Sequence, residues 1–211
     1  MLYNLQLGAL ATNCYILANS EKRAIVVDPG GSYPKFKAFM EENDLVVDSV
    51  LLTHGHYDHI GAVSAIKKDN PDVHIYINKE EELLYERYVR GEGLPPYMKP
   101  SDYKDFKPTD YIKGGDVLNL AGFEIKVLPC PGHTPGGVSF VTENYMFTGD
   151  TLFRGSMGRI DLLGGDKDEM MKSLKYLYEY EGDYIVLPGH EAATTLEEER
   201  QTNPYFRLAM K

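Results

Sequence analysis

The sequence predicts a single α+β domain in which sheets form the interior and helices lie outside. Short β runs occur in antiparallel pairs, helical patterns fall between them, and the two halves of the chain resemble each other in this order. No linker or low-complexity segment divides the chain, and 43% apolar residues suffice for a sizeable core. We therefore expect one domain over residues 1–211.

The first half alternates between short apolar runs and amphipathic patterns. Phe36, Phe39 and Met40 recur at helical spacing just after the breaker cluster at 28–31, which predicts a helix there. Similar patterns predict helices over 61–68 and 79–89. Apolar runs predict strands over 2–7, 12–18, 24–27, 46–52 and 73–77.

The second half is richer in predicted hairpins. Ala121-Gly122 forms a tight turn between two β runs, and a second antiparallel pair follows it. A helical pattern then covers 167–180. The predicted strands lie over 117–120, 123–128, 138–141, 145–148 and, as the last of the chain, 184–187.

Residues 91–108 differ from their surroundings because glycine and proline recur through them, with Tyr97, Tyr103 and Phe106 in between. Such a segment is a loop. Two interpretations are equally open: a surface excursion, or a wall or lid over a functional site, since long loops in compact domains often serve function.

Composition excludes several classes of protein. No apolar run approaches the roughly 18 residues of a membrane span, and the start lacks the pattern of a signal peptide. Cys14 and Cys130 make no disulfide framework, so a reducing, cytoplasmic location is expected. A net charge of −10 argues against a nucleic-acid-binding surface.

Residues 53–59, Thr-His-Gly-His-Tyr-Asp-His, carry the strongest chemical signal. They follow the apolar run Val50-Leu51-Leu52, so the histidines leave the end of a buried strand. Alternate residues of an extended chain face the same way, so His54 and His56 can converge on one point. Asp58 and His59 lie past the turn and can aim at a second point. Imidazole and carboxylate are ligands of zinc, iron and manganese, and the segment predicts a metal site.

Three other segments repeat this arrangement of a β run followed by a breaker loop with a potential ligand. The ligands are His133 in Pro129–Gly137, Asp150 after 145–148, and His190 after 184–187. Ligands from separate strand ends can meet at one edge of a sheet. Four such ends together predict one site.

The remaining candidates are less specific. His74 lies on a strand outside any motif and is expected to be a surface or edge residue. Both cysteines are interpreted as packing residues, because no general base accompanies Cys130 in the sequence. Asp28, at the end of another strand, is expected to orient a ligand histidine.

The order of His54, His56, Asp58, His59, His133, Asp150 and His190 resembles the metallo-β-lactamase superfamily of hydrolases. Further segments, among them 12–15, 28–31, 132–136, 149–153, 155–159 and 199–204, are similar to glyoxalase II-type enzymes, with the closest resemblance to short bacterial hydroxyacylglutathione hydrolases. The resemblance extends along nearly the whole chain. It implies a four-layer αβ/βα sandwich with two mixed β-sheets flanked by helices.

The resemblance also implies a site for two divalent metal ions, with zinc favoured and iron or manganese as alternatives. His54, His56 and His133 would hold one ion, Asp58, His59 and His190 the other, and Asp150 would bridge them. Seven protein ligands and a bridging water would give each ion about five donors, which suits a hydrolytic pair.

The implied reaction is hydrolysis of a small-molecule thioester of the S-D-lactoylglutathione type by a hydroxide that bridges the metals. Asp58 would orient this nucleophile and accept its proton, while a thiolate leaving group needs no strong general acid. Arg159 would bind a glutathione carboxylate. Two features depart from the larger glyoxalase II enzymes: a C-terminal helical region is missing, and Asp161 replaces an aromatic residue.

Three alternatives stay open at this stage. A persulfide dioxygenase would use one iron held by His54, His133 and Asp150. A nuclease or lactonase of the same superfamily is a second possibility, though the acidic balance disfavours RNA. The third is a structural metal module, but such zinc sites are usually closed by four ligands.

Overall fold

Two six-stranded sheets lie face to face in the computed structural model, which describes residues 1–211. The first sheet has the order β1-β2-β3-β4-β5-β6. Its first three strands pair antiparallel, whereas β3, β4, β5 and β6 pair parallel. The strands are β1 (Leu2–Leu7), β2 (Thr12–Ala18), β3 (Arg23–Val27), β4 (Val46–Leu51), β5 (His74–Asn78) and β6 (Asp110–Ile112).

The second sheet has the order β14-β13-β10-β9-β8-β7 and is antiparallel except between β10 and β13. A separate two-stranded ribbon, β11 with β12, follows β10. The strands are β7 (Val117–Leu120), β8 (Phe123–Pro129), β9 (Val138–Thr142), β10 (Tyr145–Gly149), β11 (Leu152–Phe153), β12 (Ser156–Met157), β13 (Ile185–Pro188) and β14 (Thr194–Thr195).

Seven α-helices accompany the sheets. Helix α5 shows how the sequence sets them: Asp166 caps its first turn by accepting hydrogen bonds from two backbone N–H groups, and Met170, Leu174 and Leu177 are buried on one face. The helices are α1 (Tyr33–Glu42), α2 (Tyr57–Ile60), α3 (Val63–Asp69), α4 (Glu82–Val89), α5 (Lys167–Glu179), α6 (Leu196–Thr202) and α7 (Pro204–Ala209). None of them combines the length and the apolar character that crossing a membrane requires.

The layers follow from the alternation of side chains along the strands. On β2 and β3, Ile16 and Val26 face a core shared with α1, α3 and α4, whereas Leu17 and Ile25 face the second sheet. On the far side, Leu128 and other residues of the second sheet pack against α5, α6 and α7. The result is the predicted four-layer sandwich, with two mixed sheets between helical layers.

The structure confirms most of the predicted elements and corrects some. The pairings of β1 with β2, of β7 with β8 and of 138–141 with 145–148 are antiparallel as expected. The strands β3 to β6 instead pair parallel, because the connections through helices return the chain in the same direction, and the sheet is mixed as the resemblance implied. The helix expected over 61–68 is confirmed as α3, whereas 184–187 is not the last strand, because β14 follows it. Unpredicted short elements are β6, β11, β12, β14, α2, α6 and α7.

The loop over 91–108 is anchored to the fold and is more than a surface excursion. Tyr103 and Phe106 are buried in the core beneath it, and its only regular element is a single 3₁₀ turn over Pro100–Asp102. A cleft of about 560 Å³ separates the loop from α3 and from Gly30. His74, in contrast, is an exposed residue that pairs with Asp110 at 2.8 Å, as the sequence indicated.

Candidate metal centre

Four strand ends, one from the first sheet and three from the second, deliver the candidate ligands to one edge of the sandwich. The chain leaves β4 at Leu51, passes His54, reaches His56 in extended conformation, and then forms α2. The loops after β8, β10 and β13 carry the other ligands. A backbone hydrogen bond of 2.9 Å from Val138 N–H to Thr53 C=O joins the two sheets beside them.

The first group of converging side chains consists of His54, His56 and His133. Their ligand atoms lie within 4.8 Å of one another, and all three residues are buried. Nδ1 of His56 is 2.9 Å from Nε2 of His133. The spacing of His54 and His56 and the separate loop of His133 therefore aim three imidazoles at one point.

The second group consists of Asp58, His59 and His190, which also lie within 4.8 Å of one another. Oδ2 of Asp58 is 3.2 Å from Nε2 of His190 and 3.7 Å from Nε2 of His59. The hydroxyl of Thr12 donates to the same carboxylate oxygen at 3.3 Å. Helix α2 thus turns the chain so that its carboxylate and imidazole approach His190, while the ring of His59 stays 4.0 Å from the ring of His54.

Asp150 stands between the two groups. Its Oδ1 is 3.4 Å from Nε2 of His59, while its Oδ2 is 3.5 Å from Nε2 of His133 and 3.7 Å from Nε2 of His190. One carboxylate therefore approaches members of both groups with different oxygens. All seven side chains selected from the sequence meet at this centre.

Asp28 lies behind the histidines and is buried. Its Oδ2 accepts hydrogen bonds from Nδ1 of His59 at 2.9 Å and from the hydroxyl of Thr53 at 2.6 Å. Its Oδ1 accepts from the backbone N–H of Thr53 at 2.8 Å. The Thr53 hydroxyl is also 3.0 Å from Nδ1 of His54. Asp28 thus contacts one ligand directly and another through Thr53.

These contacts determine which nitrogen of each ring carries the proton. A carboxylate only accepts, so His59 donates from Nδ1; the Thr53 hydroxyl donates to Asp28, so it accepts from Nδ1 of His54. Nδ1 of His133 donates to the backbone carbonyl of Arg159 at 2.7 Å. In its neutral form, each of these three rings is left with the Nε2 lone pair directed at the centre, the arrangement that a metal ligand requires.

The electrostatics of the centre keep charges and lone pairs available. Burial, with help from His133, lowers the pKa of His56 to about 3, so this ring is neutral at physiological pH. Burial opposes the charge on His59, but Asp150, Asp58 and Asp28 together raise its pKa. Burial likewise works against ionisation of Asp150, yet His59 and other imidazoles hold the pKa of Asp150 well below its usual range.

The donor set fits divalent metal ions. Nε2 of His54, Nε2 of His59 and Oδ1 of Asp150 are buried without a well-aligned hydrogen bond, although the last two atoms lie 3.4 Å apart. Each unpaired buried polar atom costs about 1–3 kcal/mol, and three at one point indicate that a cation completes the site. Gly189 also leaves room here, because a Cβ at this position would overlap Oδ1 of Asp150 and come within 2.6 Å of Cε1 of His59.

Arg159 contributes to the centre through its backbone carbonyl, which accepts from His133. Its side chain is the predicted substrate-binding cation. Its guanidinium is exposed and forms a bidentate pair with Asp161, with both contacts at 2.7 Å. That pairing raises the pKa of Arg159 and lowers the pKa of Asp161 to about 2. Asp161 therefore pairs with the guanidinium of Arg159, the group that the resemblance assigns to binding a substrate carboxylate.

Sequence reasoning missed two supports of the centre. Thr53 connects Asp28 to His54, and its position between strand and first histidine is the only signal in the sequence. Glu81 is fully buried and accepts hydrogen bonds from the backbone of Gly55 and Gly136, although it lies in no motif. Cys130 is buried, and burial raises its pKa to about 12, which agrees with a packing role.

Comparison with known proteins defines the class. The profile of the metallo-beta-lactamase superfamily matches residues 7–190. The chain belongs to this superfamily, and its fold and donor set are those of a metal-dependent hydrolase.

Individual relatives are similar along their whole length. The hydroxyacylglutathione hydrolase GloC of Haemophilus influenzae is 35% identical, with 94% of each chain covered. The crystal structure of the B3 metallo-beta-lactamase BLEG-1 superposes with a TM-score of 0.83 at 33% identity, covering 98% of this chain and 99% of that one. The crystal structure of TTHA1623 in a di-iron-bound form superposes with a TM-score of 0.80 at 34% identity, covering 96% of this chain and 99% of that one.

Proposed function

We propose that this protein is a dinuclear metal-dependent thioesterase of the hydroxyacylglutathione hydrolase type. The observation that carries the metal part is the set of buried, unpartnered atoms at the junction of two ligand groups. His54, His56 and His133 would hold one divalent ion, and Asp58, His59 and His190 the other. Asp150, whose two oxygens approach both groups, would bind both ions.

The identity of the ions is part of the proposal. Imidazole and carboxylate donors suit zinc, iron and manganese. Zinc is the first choice because it needs no redox partner for hydrolysis, while the di-iron form of TTHA1623 supports iron as the alternative. When bound, the pair supplies Lewis acidity for a substrate carbonyl and a low pKa for a water molecule.

The residues of the chain supply orientation and proton transfer. Oδ2 of Asp58 is held by the Thr12 hydroxyl and faces His190, so Oδ1 is the oxygen left to receive a proton from the attacking water. Burial works against ionisation of Asp58, but His59 and His190 lower its pKa and keep it ready to accept. A departing thiolate, with a free pKa around 8.5, needs no proton from the protein.

A small acyl thioester is the proposed substrate. The similarity to GloC supports a glutathione thioester, and Arg159 stands exposed near the centre, with its carbonyl bound to His133. A guanidinium binds a carboxylate with two parallel hydrogen bonds, as Arg159 does with Asp161. A substrate carboxylate would replace Asp161 in this pair.

The experiment is hydrolysis of S-D-lactoylglutathione by the zinc-loaded protein, followed as loss of thioester absorbance. We expect kcat/KM of about 10⁴ M⁻¹s⁻¹ or more, as for dedicated enzymes. Asp58→Ala should abolish turnover, and His74→Ala, which removes an exposed histidine outside the centre, should leave it unchanged. Absence of turnover with zinc, iron and manganese would refute the thioester assignment.

A second candidate is β-lactam hydrolysis, which the similarity to BLEG-1 favours. A chromogenic cephalosporin assayed on the same zinc-loaded protein separates the two activities. Turnover of the cephalosporin but not of the thioester would replace the first proposal. Uptake of oxygen with glutathione persulfide by protein holding one iron would instead identify the dioxygenase considered from the sequence.

A further inference from the structure

Glu81 is a fully buried carboxylate with no basic side chain paired to it. It ends the 3₁₀ turn over Lys79–Glu81, between β5 and α4, away from every candidate ligand in the sequence. Burial raises its pKa, while the nearby Thr134 hydroxyl and hydrogen bonds from two backbone N–H groups act in the opposite direction. Burying a carboxylate without an ion pair is energetically unfavourable, so a buried carboxylate at this position indicates a specific role.

The two backbone partners belong to different ligand loops. Oε2 of Glu81 accepts from the N–H of Gly55 at 2.7 Å, and Oε1 accepts from the N–H of Gly136 at 2.6 Å. Each oxygen thus serves one loop, and the carboxylate spans the gap between them. Both contacts are buried, where hydrogen bonds to a charged group are strong.

Glycine permits the close approach at both contact points. A Cβ on Gly55 would lie 3.1 Å from Oε2 of Glu81, and one on Gly136 would lie 2.9 Å from Oε1 and from Cβ of Glu80. A side chain at Gly136 would displace its neighbours, and one at Gly55 would leave the Glu81 carboxylate in a tight contact. The glycines of these two motifs are explained by this close approach, and not by left-handed backbone, since neither has a positive φ.

The connected loops carry one metal-ligand group and not the other. Gly55 lies between His54 and His56, and Gly136 is three residues after His133. These histidines form the first group. The ligands of the second group have other supports, namely Asp28 on His59 and Thr12 on Asp58.

We propose that Glu81 is a positioning residue that fixes the spacing of the His54–His56 loop relative to His133, and so sets the affinity of the first metal position selectively. This inference rests on the proposed two-metal centre. Glu81 would support one of the two metal positions, although its 3₁₀ turn contains no metal ligand.

Two substitutions distinguish the effect of the Glu81 charge from the effect of its side-chain length. Glu81→Gln keeps the shape, but its NH₂ group must face one of the two N–H donors, so one loop loses its acceptor. Glu81→Asp keeps the charge, but it is one methylene shorter and cannot span both donors. Both variants should lower affinity at the first position by about 10–100-fold, the usual effect of losing an outer support of a metal ligand.

Two controls distinguish positioning from general loss of stability. Glu80→Gln makes the same change at the exposed neighbour. Glu199→Gln makes it at another fully buried carboxylate, which accepts from the N–H of Gly155 and from the side chains of Thr194 and Asn203. Glu199 is in hydrogen-bond contact with no residue of the two ligand loops.

The experiment measures zinc retained per chain when the zinc-loaded full-length proteins are dialysed against rising chelator concentrations. ¹⁵N-glycine NMR spectra of the same samples report the amides of Gly55 and Gly136. We expect wild type, Glu80→Gln and Glu199→Gln to keep two ions over the same range. Glu81→Gln should release one ion at a chelator concentration about 10–100-fold lower than wild type requires, and it should keep the second ion. The amide signals of both glycines should shift.

Three outcomes would overturn the inference, and they are distinguishable. If wild type itself retains no zinc, the proposed metal centre fails and the inference with it. If wild type retains two ions and Glu81→Gln releases them as wild type does, only the role of Glu81 is refuted. If Glu199→Gln loses one ion in the same way, the effect reflects general destabilisation and not positioning.

Discussion

Replacing Asp28 with asparagine tests how the centre keeps its histidine lone pairs. Asp28 adopts a left-handed backbone, with φ of 50°, which asparagine tolerates well, so the backbone is preserved. The new amide can still accept from the N–H of Thr53, but its NH₂ group then faces the Thr53 hydroxyl and Nδ1 of His59. Nδ1 must become an acceptor, and the ring proton moves to Nε2, where it blocks metal binding.

The magnitude follows from the contact that is lost. The hydrogen bond from Nδ1 of His59 to Oδ2 of Asp28 measures 2.9 Å and is fully buried, and a hydrogen bond to a charged group contributes about 1.5–3 kcal/mol. Asp28 reaches His54 only through the Thr53 hydroxyl, so we expect a smaller loss of affinity at the position that contains His54. Since about 1.4 kcal/mol is a factor of ten, we expect the main loss, about 10–100-fold, at the position formed by Asp58, His59 and His190. This is the position that Glu81 does not support.

The assay is chelator competition on the zinc-loaded protein, with thioester turnover measured in parallel. Asp44→Asn is the matched control, because Asp44 has a similar φ of 54° but is exposed and remote from the centre. If the affinities of Asp28→Asn for both ions were within twofold of those of the Asp44→Asn protein, the argument from tautomers would be refuted. A loss confined to the other metal position would refute it equally.

Further predictions concern the Arg159–Asp161 pair, Gly189 and Cys130. Arg159→Ala should raise KM for the thioester without changing kcat, and Asp161→Asn, which frees the guanidinium, should lower KM by up to about fivefold. Gly189→Ala should remove bound metal, measured as zinc per chain, because the added Cβ overlaps Oδ1 of Asp150. Cys130 should resist iodoacetamide in the native protein at about pH 8.5 and react after unfolding; its pKa is raised to about 12, so the reactive thiolate forms only in strong alkali. Stoichiometric native alkylation would contradict this.

The elements that sequence patterns predicted well are those that local chemistry determines. The pairing of β7 with β8 depends on a turn at Ala121-Gly122, where both residues adopt positive φ, and such a turn brings adjacent strands together antiparallel. The parallel pairs β3–β4 and β4–β5 join strands separated by helices. Their direction depends on how those helices pack against the sheet, which no local pattern encodes.

The candidate ligands were visible in the sequence for a similar reason. The spacing of His54, His56, Asp58 and His59 places two pairs on opposite sides of one turn, and breaker residues mark each strand end that bears a ligand. Side-chain chemistry and strand periodicity suffice for that prediction. The assignment of ligands to two groups came from resemblance. The distances give those two groups and a third that joins Asp28, His54 and His59, so the division between two ions stays a prediction.

The sequence by itself determined the chemistry of this protein: which side chains offer lone pairs, and that they lie at strand ends. Only the tertiary structure decided what holds them, namely Asp28 through Thr53, Glu81 across two loops, and the carbonyl of Arg159 on His133. The physical reason is range. Ligand spacing is a property of a few consecutive residues, whereas each support joins segments 25 or more residues apart, and packing of the whole sandwich brings them together.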